Sequence, residues 1–350
     1  LILLPVVLPP VLCWAAFYDV DRAVRVARTA QSGPPREQVG RRQYLAFHVR
    51  FFFGIPLALI LGLLAVRDGM QIFLPDVVET GYGPVVLSGA IAAMFLLSPV
   101  LLRYVWQTRP LPAGPLRTRL ESAARRLGIE TREILIWHTG GMVIGAAMAG
   151  VLRPLRYVFL SDALLAHLTE EEIAAVFGHE AGHVRHHHLL LRVMSLVAPL
   201  SLLLLFEQAF PTALRQLDGW LGTGPLDVQA PTGLLMVAGM ACYLLVVFGY
   251  YSRLLEHQAD LFGCRSFEPS PHVEAVETFS SALEKMGAAN GIGRRTPGWQ
   301  HASIARRIDF LGRVSHDPNR ELRFHRRVRL LSSLVIGIAV SPVAYQLLLG

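Results

Sequence analysis

Three residues near the middle of the chain have the types and spacing of a zinc-dependent hydrolase. His179, Glu180 and His183 form the pattern HExxH. On a helix the two imidazoles lie one turn apart on the same face, so both can bind one zinc ion at about 2.0–2.1 Å. Glu180 is then placed to act as general base on the water in the remaining coordination position.

The residues around this pattern predict the helix that it requires. Thr169 and Glu172 have the spacing of a capping box, in which each side chain binds the other residue's backbone N–H, so a helix begins here. Gly178 and Gly182 leave room for another segment to pack beside the metal. HExxH has only three defined positions and arises by chance in many proteins. The predicted helix start and the two glycines therefore add support for a metal site.

A site of this type needs a third protein ligand, and the segment 252–260 offers candidates for it. The segment follows an apolar run and should continue it as a helix, on which Glu256 and Asp260 lie one turn apart. Glu256 can bind the metal, while Asp260 can accept a hydrogen bond from a ligand imidazole and orient it. The alternative is a solvated helix end in which Arg253 pairs with Glu256.

Together the two motifs resemble the M48 family of integral-membrane metallopeptidases, which includes the HtpX, Ste24 and Oma1 types. In that family the HExxH helix is followed by one or more membrane spans and then by the pattern S-R-x-x-E-x-x-A-D. This chain matches that pattern with Ser252, Arg253, Glu256, Ala259 and Asp260. The resemblance, which covers roughly residues 115–311, implies that Glu256 is the third zinc ligand. It also implies a zincin-like fold in which a small sheet borders the cleft.

A weaker match extends the resemblance towards the N-terminus. Residues 145–150 and 156–165 resemble the strand region that precedes the zinc helix in the family. That strand typically binds the substrate backbone as an added β-strand. Gly145 stands where the family usually has Asn, which puts a local hydrogen bond in doubt but not the strand.

Another weak match lies towards the C-terminus. Residues 301–311 resemble the family pattern H-P-x-x-x-x-R-I-x-x-L, with Ala302 in place of the proline. By position His301 could stabilise the oxyanion of a tetrahedral intermediate, and Arg307 could pair with an acidic residue near the site. The alternative is a structural helix with surface cations.

Three further histidines, His186, His187 and His188, follow the zinc motif. His187 would continue the four-residue spacing of His179 and His183. A fourth protein ligand, however, would fill the position that catalysis needs open. We therefore interpret the three histidines as interfacial or structural.

The composition places these motifs in a membrane protein. Of the 350 residues, 53% are hydrophobic and 17% are charged, whereas soluble domains carry about a quarter charged residues. Apolar runs near the roughly 20 residues that cross a bilayer predict six membrane-spanning helices, at about 1–17, 48–66, 84–106, 188–210, 231–251 and 328–349. We interpret the first run as the end of such a helix rather than a signal peptide, in a chain whose N-terminus is incomplete or processed.

Arginine is distributed unevenly among the segments that connect these runs. Three segments are Arg-rich, namely 18–47, 107–187 and 252–327, whereas 67–83 and 211–230 each carry one cation, Arg67 and Arg215. The positive-inside rule places the Arg-rich segments, and both motifs with them, in the cytoplasm. A net charge of +7 would also suit nucleic-acid binding, but the cations lie beside apolar runs. We therefore expect the lipid bilayer, and no nucleic acid, as a partner.

These observations predict a mainly α, polytopic membrane protein with a zincin-like metalloprotease domain and a small β-sheet. The expected N-terminal transmembrane region is 1–106, the transmembrane hairpin is 188–251 and the C-terminal transmembrane helix is 328–350. The catalytic domain is expected in two parts, 107–187 and 252–327. The cysteines show neither metal-ligand spacing nor a disulfide framework; they are Cys13, Cys242 and Cys264.

The predicted function is zinc-dependent hydrolysis of peptide bonds in membrane-associated proteins at the cytoplasmic face. One zinc ion per chain is expected on His179, His183 and Glu256, with Glu180, Asp260 and His301 as the predicted catalytic residues. A bacterial inner membrane is the expected location, and membrane-protein quality control an expected role. The alternative is a catalytically silent membrane scaffold of the same fold. An intramembrane site-2-type protease would carry HExxH within a span, whereas both motifs here lie outside the predicted spans.

Overall fold

The apolar runs of the sequence form long helices. In a computed structural model, which describes residues 4–32, 39–79, 82–209, 231–265 and 272–349, six helices are long and apolar enough to cross a membrane. These candidate spans are Leu4–Ala27, Arg41–Phe73, Gly83–Val105, His188–Phe206, Leu234–Cys264 and Asn319–Leu347. The predicted fold class, a mainly α and polytopic membrane protein with a small sheet, is confirmed. Arg36 and the segment 211–230 with Arg215 lie outside the described residues.

The chain divides into two compact units, and the first comprises Leu1–Glu180 and Thr278–Gly293. Its helices are α1 (Leu4–Ser32), α2 (Arg41–Phe73), α3 (Pro75–Glu79), α4 (Gly83–Val105), α5 (Pro115–Leu127), α6 (Asp162–His167) and the larger part of α7 (Glu170–Arg185). Its strands are β1 (Thr108–Pro110), β2 (Glu133–Trp137), β3 (Ala146–Ala149) and β4 (Tyr157–Ser161).

The four strands form one mixed sheet in the order β1-β2-β4-β3. The two central strands, β2 and β4, are parallel, with Ile134 opposite Val158. The outer strands β1 and β3 run antiparallel to their neighbours. The two short apolar runs 134–137 and 157–160 therefore form the strands at the centre of the sheet.

Both faces of the sheet are covered, which explains why the central strands are continuously apolar rather than alternating. Ile134 and Ile136 point into a core that includes Leu120 and Phe177. Leu135 and Trp137 point to the opposite face and pack on an aromatic cluster that contains Phe47, Phe51, Trp106 and Phe159. The Trp106 and Trp137 rings stack with centroids 4.2 Å apart.

The second unit comprises Ala181–Glu277 and Arg294–Gly350. Its helices are α8 (His188–Ala209), α9 (Pro231–Tyr243), α10 (Gly249–Cys264), α12 (Ile304–Ser315) and α13 (Pro318–Leu349), and helix α11 (His272–Asn290) belongs partly to each unit. A π-helical turn, Leu244–Phe248, joins α9 to α10.

Polar side chains connect the long helices of the second unit. Ser201 on α8 donates a hydrogen bond to the carbonyl oxygen of Ala339 on α13 at 2.9 Å. The hydroxyls of Tyr251 and Ser332 lie 2.8 Å apart. Such contacts satisfy polar groups that would otherwise face hydrocarbon, and they hold membrane helices in register.

Some helices are longer than the apolar runs that predicted them. Helix α1 continues to Ser32, through part of a segment predicted as a loop, and α13 begins ten residues before the predicted span 328–349. Arginine is a good helix former, and on α1 Arg25 pairs with Asp21 one turn earlier at 3.4 Å. Apolar runs therefore locate the membrane-crossing part of a helix but not its ends.

Candidate metal centre

The helix that carries HExxH begins at a well-defined cap. The Glu172 carboxylate accepts a hydrogen bond from the Thr169 backbone N–H at 2.9 Å, and the Thr169 hydroxyl accepts one from the Glu172 backbone N–H at 3.3 Å. The predicted capping box is therefore present.

Two further side chains bind the same glutamate. Ser281 donates a hydrogen bond to Glu172 at 2.6 Å, and the Lys285 ammonium lies 2.7 Å from it. Burial acts to raise the pKa of Glu172, but the hydrogen bonds from Lys285, Ser281 and the Thr169 backbone outweigh burial and lower the pKa below its usual value. Glu172 is therefore held in its charged form, and the start of α7 is attached to α11.

The two histidines of the motif lie on the uninterrupted part of this helix. His179 is 7% exposed, and its ring packs on that of Phe279 with centroids 5.8 Å apart. His183 follows one turn later and is partly exposed. Because α7 is a single helix through Arg185, helical geometry alone determines the position of His179 relative to His183.

Helix α10 approaches the backbone of α7 at Gly182. A Cβ atom at Gly182 would lie 3.0 Å from the Cα of Ala259 and 3.1 Å from the Cβ of Phe262. A larger residue would therefore require the neighbouring atoms to shift by a few tenths of an ångström. This close approach brings the segment predicted to hold the third ligand next to His183.

One ligand atom from each of His179, His183 and Glu256 can be chosen so that all three lie within 4.8 Å of one another. Glu256 is 1% exposed, and its Oε1 lies 3.6 Å from Nε2 of His183. Ligand atoms bound tetrahedrally to zinc at 2.0–2.1 Å are about 3.4 Å apart. The donor set, two imidazoles and a carboxylate, and its spacing therefore fit a zinc ion with an open coordination position.

One arginine binds the Glu256 carboxylate, and a histidine lies close to it. Arg192, in the first turn of α8, donates to Oε1 at 2.6 Å, and Nδ1 of His301 lies 2.8 Å from Oε2. Arg253, which the sequence offered as an alternative partner of Glu256, donates instead to the carbonyl oxygen of Trp299 at 2.9 Å. The guanidinium of Arg192 balances the charge of a carboxylate that is otherwise removed from solvent.

Asp260 lies one turn after Glu256 and is fully buried. Arg307 donates two parallel hydrogen bonds to it, at 2.9 and 2.5 Å, so the acidic partner expected for Arg307 is Asp260. Nδ1 of His257 is 3.8 Å from the same carboxylate. This bidentate pair attaches α12 to α10. The predicted role of Asp260 in orienting a ligand imidazole stays a prediction.

The segment before His301 is held against the π-helical turn between α9 and α10. The Trp299 indole N–H donates to the carbonyl oxygen of Leu244 at 3.0 Å, and the same oxygen accepts the Gly249 backbone N–H within the π-helical turn. Gly249 allows this contact, because a Cβ atom there would lie 3.1 Å from the indole ring. His301 follows two residues later, with 59% of its side chain exposed. It is more exposed than the other two side chains near Glu256, His183 and Arg192, which are 21% and 24% exposed.

The three histidines after the motif differ from one another. Helix α7 ends at Arg185 and His187 has a positive φ of 55°, so the four-residue spacing of the ligands does not continue to His187. Burial, together with nearby positive groups, lowers the pKa of His186 to about 4, which makes it neutral at pH 7. His188 is 1% exposed, and its Nδ1 lies 2.8 Å from Nδ1 of His183. The sequence interpretation did not anticipate this contact with a predicted ligand.

The strand that was expected to bind substrate is at the edge of the sheet. β3 pairs with β4 on one side and is the last strand on the other. The Asn290 side chain accepts a hydrogen bond from the Ile144 backbone N–H at 3.3 Å and donates one to the Ile144 carbonyl at 2.9 Å. Asn290 thus orients the residues that lead into β3. Asn290 was not among the predicted site residues.

Comparisons with known proteins place these features in a family context. The family model described as Peptidase family M48 matches residues 110–311, more than half of the chain. A Protease HtpX homolog from Aeropyrum pernix is 27% identical over 176 residues, which is 49% of this chain and 53% of that protein. A CAAX prenyl protease 1 homolog from Oryza sativa subsp. japonica is 25% identical over 216 residues, which is 60% of this chain and 48% of that protein.

The chain spans about half the length of the curated relatives it matches. Among solved structures, a crystal structure of S. mikatae Ste24p aligns with a TM-score of 0.48 and 17% sequence identity. That alignment covers 78% of this chain and 67% of the other.

Proposed function

The chain belongs to peptidase family M48, and from this premise we propose that it is a membrane-embedded, zinc-dependent endopeptidase. The observation that carries the proposal is the convergence of His179, His183 and Glu256, whose ligand atoms lie within 4.8 Å of one another. The six long apolar helices support its integral-membrane character. A membrane-embedded endopeptidase accounts both for the two motifs and for the apolar helices.

The three converging residues would hold one zinc ion per chain. When bound, zinc lowers the pKa of a coordinated water towards about 7 and polarises the carbonyl of the scissile peptide bond. Arg192 would keep the Glu256 carboxylate oriented through its 2.6 Å hydrogen bond.

Glu180 would act as the general base and then as the general acid. It directly follows His179 on α7 and is partly exposed, so substrate and water can reach it. Its carboxylate takes a proton from the attacking water as the water oxygen adds to the peptide carbonyl. The same proton then passes to the leaving amine as the C–N bond breaks.

His301 and Asp260 would assist without forming bonds to the substrate carbon. The exposed imidazole of His301 would donate a hydrogen bond to the oxyanion that develops on the carbonyl oxygen. Asp260, which Arg307 holds through two hydrogen bonds, would orient a ligand imidazole from its buried position. The substrate backbone would add to the edge strand β3 as a further strand.

We propose that residues 107–187 and 252–327 form one catalytic domain at the cytoplasmic face of a bacterial inner membrane. The Arg-rich composition of these two segments supports this side of the membrane. The proposed substrates are membrane-associated proteins, and the proposed role is membrane-protein quality control. The relative named Protease HtpX homolog supports a protease activity, and the relative named CAAX prenyl protease 1 homolog makes prenylated peptides the first competing substrate class to test.

The variant Glu180→Gln tests the mechanism directly. The purified full chain should retain one zinc ion per chain and lose peptide cleavage, because the amide cannot accept a proton. His179→Ala should lose both the metal and the activity. Glu171→Gln, which changes a half-exposed glutamate on the same helix, should leave both unchanged and is the matched control.

Two results would contradict the proposal. Wild-type protein with no stoichiometric zinc would favour the catalytically silent scaffold, and cleavage by Glu180→Gln at the wild-type rate would remove the role of Glu180. Proteins trapped by Glu180→Gln in native membranes would identify the substrate class. Recovery of prenylated peptides in place of membrane proteins would overturn the quality-control role.

A further inference from the structure

A continuous line of hydrogen-bonding groups begins at the metal ligand His183 and leads away from the site. Nδ1 of His183 is 2.8 Å from Nδ1 of His188. Nε2 of His188 is 3.1 Å from the side-chain oxygen of Gln258. The side-chain nitrogen of Gln258 is 3.2 Å from Nδ1 of His325. All four residues belong to the second unit.

The line ends on a carboxylate. Nε2 of His325 lies 3.4 Å from Oε1 of Glu321, to which Arg265 also donates a hydrogen bond at 3.0 Å. The middle of the line is closed to solvent, since His188 is 1% exposed and Gln258 is 6% exposed. A buried polar group must find its partners within the protein, so each member depends on the next.

The glutamine determines the direction of every hydrogen bond in this line. An amide oxygen only accepts and an amide nitrogen only donates. His188 therefore carries its proton on Nε2, and its Nδ1 is left as an acceptor. The proton in the first hydrogen bond must then belong to Nδ1 of His183. Its Nε2 is consequently free of a proton.

An independent observation supports this assignment of the His183 proton to Nδ1. Nε2 of His183 is the atom that lies 3.6 Å from Glu256 Oε1, on the side of the metal group. If the Gln258 amide were reversed, the same reasoning would place the proton of His183 on Nε2 and prevent that atom from binding a metal. The same direction continues outward, because Gln258 donates to Nδ1 of His325, which leaves the proton of that imidazole on Nε2, 3.4 Å from Oε1 of Glu321.

We propose that His188, Gln258 and His325 are positioning residues that set the tautomer and ring orientation of His183 and connect it to the Glu321 carboxylate. This inference rests on the proposed function, since it concerns the zinc ligand His183. A metal-binding histidine usually donates its second N–H directly to a carboxylate or carbonyl oxygen. Here a relay of three side chains, of which His188 and Gln258 are buried, takes the place of that direct contact.

The relay explains residues that the hydrolytic mechanism does not use. Gln258 and His188 are both buried and polar, and neither has a part in the proposed hydrolytic steps. Removing a group that orients a metal-bound histidine typically weakens metal binding by about 10- to 100-fold. The effect should decrease with distance from His183 along the relay.

The test compares zinc affinity of the full-length protein and its variants in detergent, measured by competition with a chelator. His188→Leu should weaken zinc binding by about 10- to 100-fold, Gln258→Met by about tenfold, and His325→Leu by less than Gln258→Met. His316→Leu, which removes an exposed histidine on the same unit, should bind zinc like the wild type.

A conservative variant separates positioning from simple packing. Gln258→Glu retains an oxygen that accepts from His188 but cannot donate to His325, so it should bind zinc at least as tightly as the wild type. Gln258→Met has a similar length but no acceptor. Solid-state ¹⁵N NMR of histidine-labelled protein should show a protonated Nδ1 for His183 and a protonated Nε2 for His188 and His325. Gln258→Met should lose the single tautomer of His188.

The possible outcomes distinguish the relay from the proposed function. If the wild-type protein binds zinc and Gln258→Met binds it with the same affinity, the relay is wrong but the proposed function stands. Equal losses in Gln258→Met and Gln258→Glu, or a protonated Nδ1 on His188, would also overturn it. Wild-type protein that binds no zinc would overturn the proposed function, whatever tautomers the NMR spectra show.

Discussion

Helices α7 and α10 both carry predicted metal ligands, but different kinds of interaction hold them in place. α7 is held at its beginning, where Thr169 and the half-exposed Lys285 bind the Glu172 carboxylate. α10 is buried along most of its length, and its polar side chains bind partners distant in sequence. Glu256, for example, binds Arg192.

This difference predicts two kinds of mutational effect. On α7 the ligand spacing is a property of the helix itself, so losing a cap contact should lower stability without displacing His179 relative to His183. On α10 each partner also neutralises or satisfies a buried group, so losing a partner leaves an uncompensated charge beside the metal site. The predictions below compare these two kinds of effect, beginning with the largest.

Arg307→Leu should have the largest effect on stability. The side chain of Asp260 is fully buried and that of Arg307 is 11% exposed, so the variant leaves a buried carboxylate without its bidentate partner. The expected loss is about 3–5 kcal/mol in the free energy of unfolding, measured by denaturant titration in mixed micelles. Arg306→Leu on the same helix is the control. A loss below about 1 kcal/mol would mean that the pair behaves like a surface salt bridge.

Gly182→Ala should disturb the point where α7 and α10 meet. The added Cβ would lie 3.0 Å from the Cα of Ala259, so backbone must move, at an expected cost of about 1–3 kcal/mol. Zinc affinity should fall with stability because Glu256 moves with α10. Gly312→Ala is the matched control, since nothing lies within 4 Å of its added Cβ. Normal zinc affinity in Gly182→Ala would show that the two helices are not coupled here.

Glu172→Gln should lower stability by about 1 kcal/mol, because Gln keeps the capping geometry but loses the attraction to the half-exposed Lys285. The folded-state pKa of Glu172 is lowered, so its stabilising contribution is complete above its unfolded pKa of about 4.3 and disappears as the pH falls through the folded value.

The difference in stability between wild type and Glu172→Gln should therefore shrink in acid, while zinc content at pH 7 stays the same. Thermal unfolding of both proteins across the acidic range measures this. If the stability difference between the two proteins does not depend on pH, the charge of Glu172 is not its cause. If Glu172→Gln loses zinc at pH 7, the cap of α7 affects the metal site, and the proposed difference between α7 and α10 is wrong.

Asn290→Ala should have the smallest effect. It removes the two hydrogen bonds that orient Ile144 before β3, without touching the metal group. If β3 binds substrate, the KM should rise about three- to tenfold, corresponding to about 1 kcal/mol, while kcat and zinc content change little. Peptide cleavage kinetics test this prediction. A fall in kcat at constant KM would argue against a role of β3 in substrate binding.

Much of the fold follows from local sequence features. The six apolar runs predicted as membrane spans each lie in a long helix, and the two continuously apolar strands lie at the centre of the sheet. The capping box could be recognised from the sequence because its two residues, Thr169 and Glu172, are only three positions apart. Helix ends were less accurate, as α1 and α13 show, because arginine supports a helix as well as the apolar residues do.

The surroundings of the candidate site were harder to predict. Arg192 lies within the predicted span 188–210, and His188 is the last of three consecutive histidines, so the sequence did not mark either as part of the site. Their partners, Glu256 and Gln258, are 64 and 70 residues away in the chain. No sequence periodicity connects positions so far apart. The alternative pairing of Arg253 with Glu256 was equally consistent with helical spacing, yet Arg253 binds the Trp299 carbonyl.

The sequence by itself therefore determined the membrane-spanning helices and the spacing of His179, Glu180 and His183, because helical periodicity and burial in a bilayer depend on nearby residues. Only the tertiary structure decided which buried charges and polar groups meet, including Glu256 with Arg192 and His183 with His188. The physical reason is that a buried polar group must be satisfied by whatever the fold brings to it. That partner is selected by packing between helices and not by position along the chain.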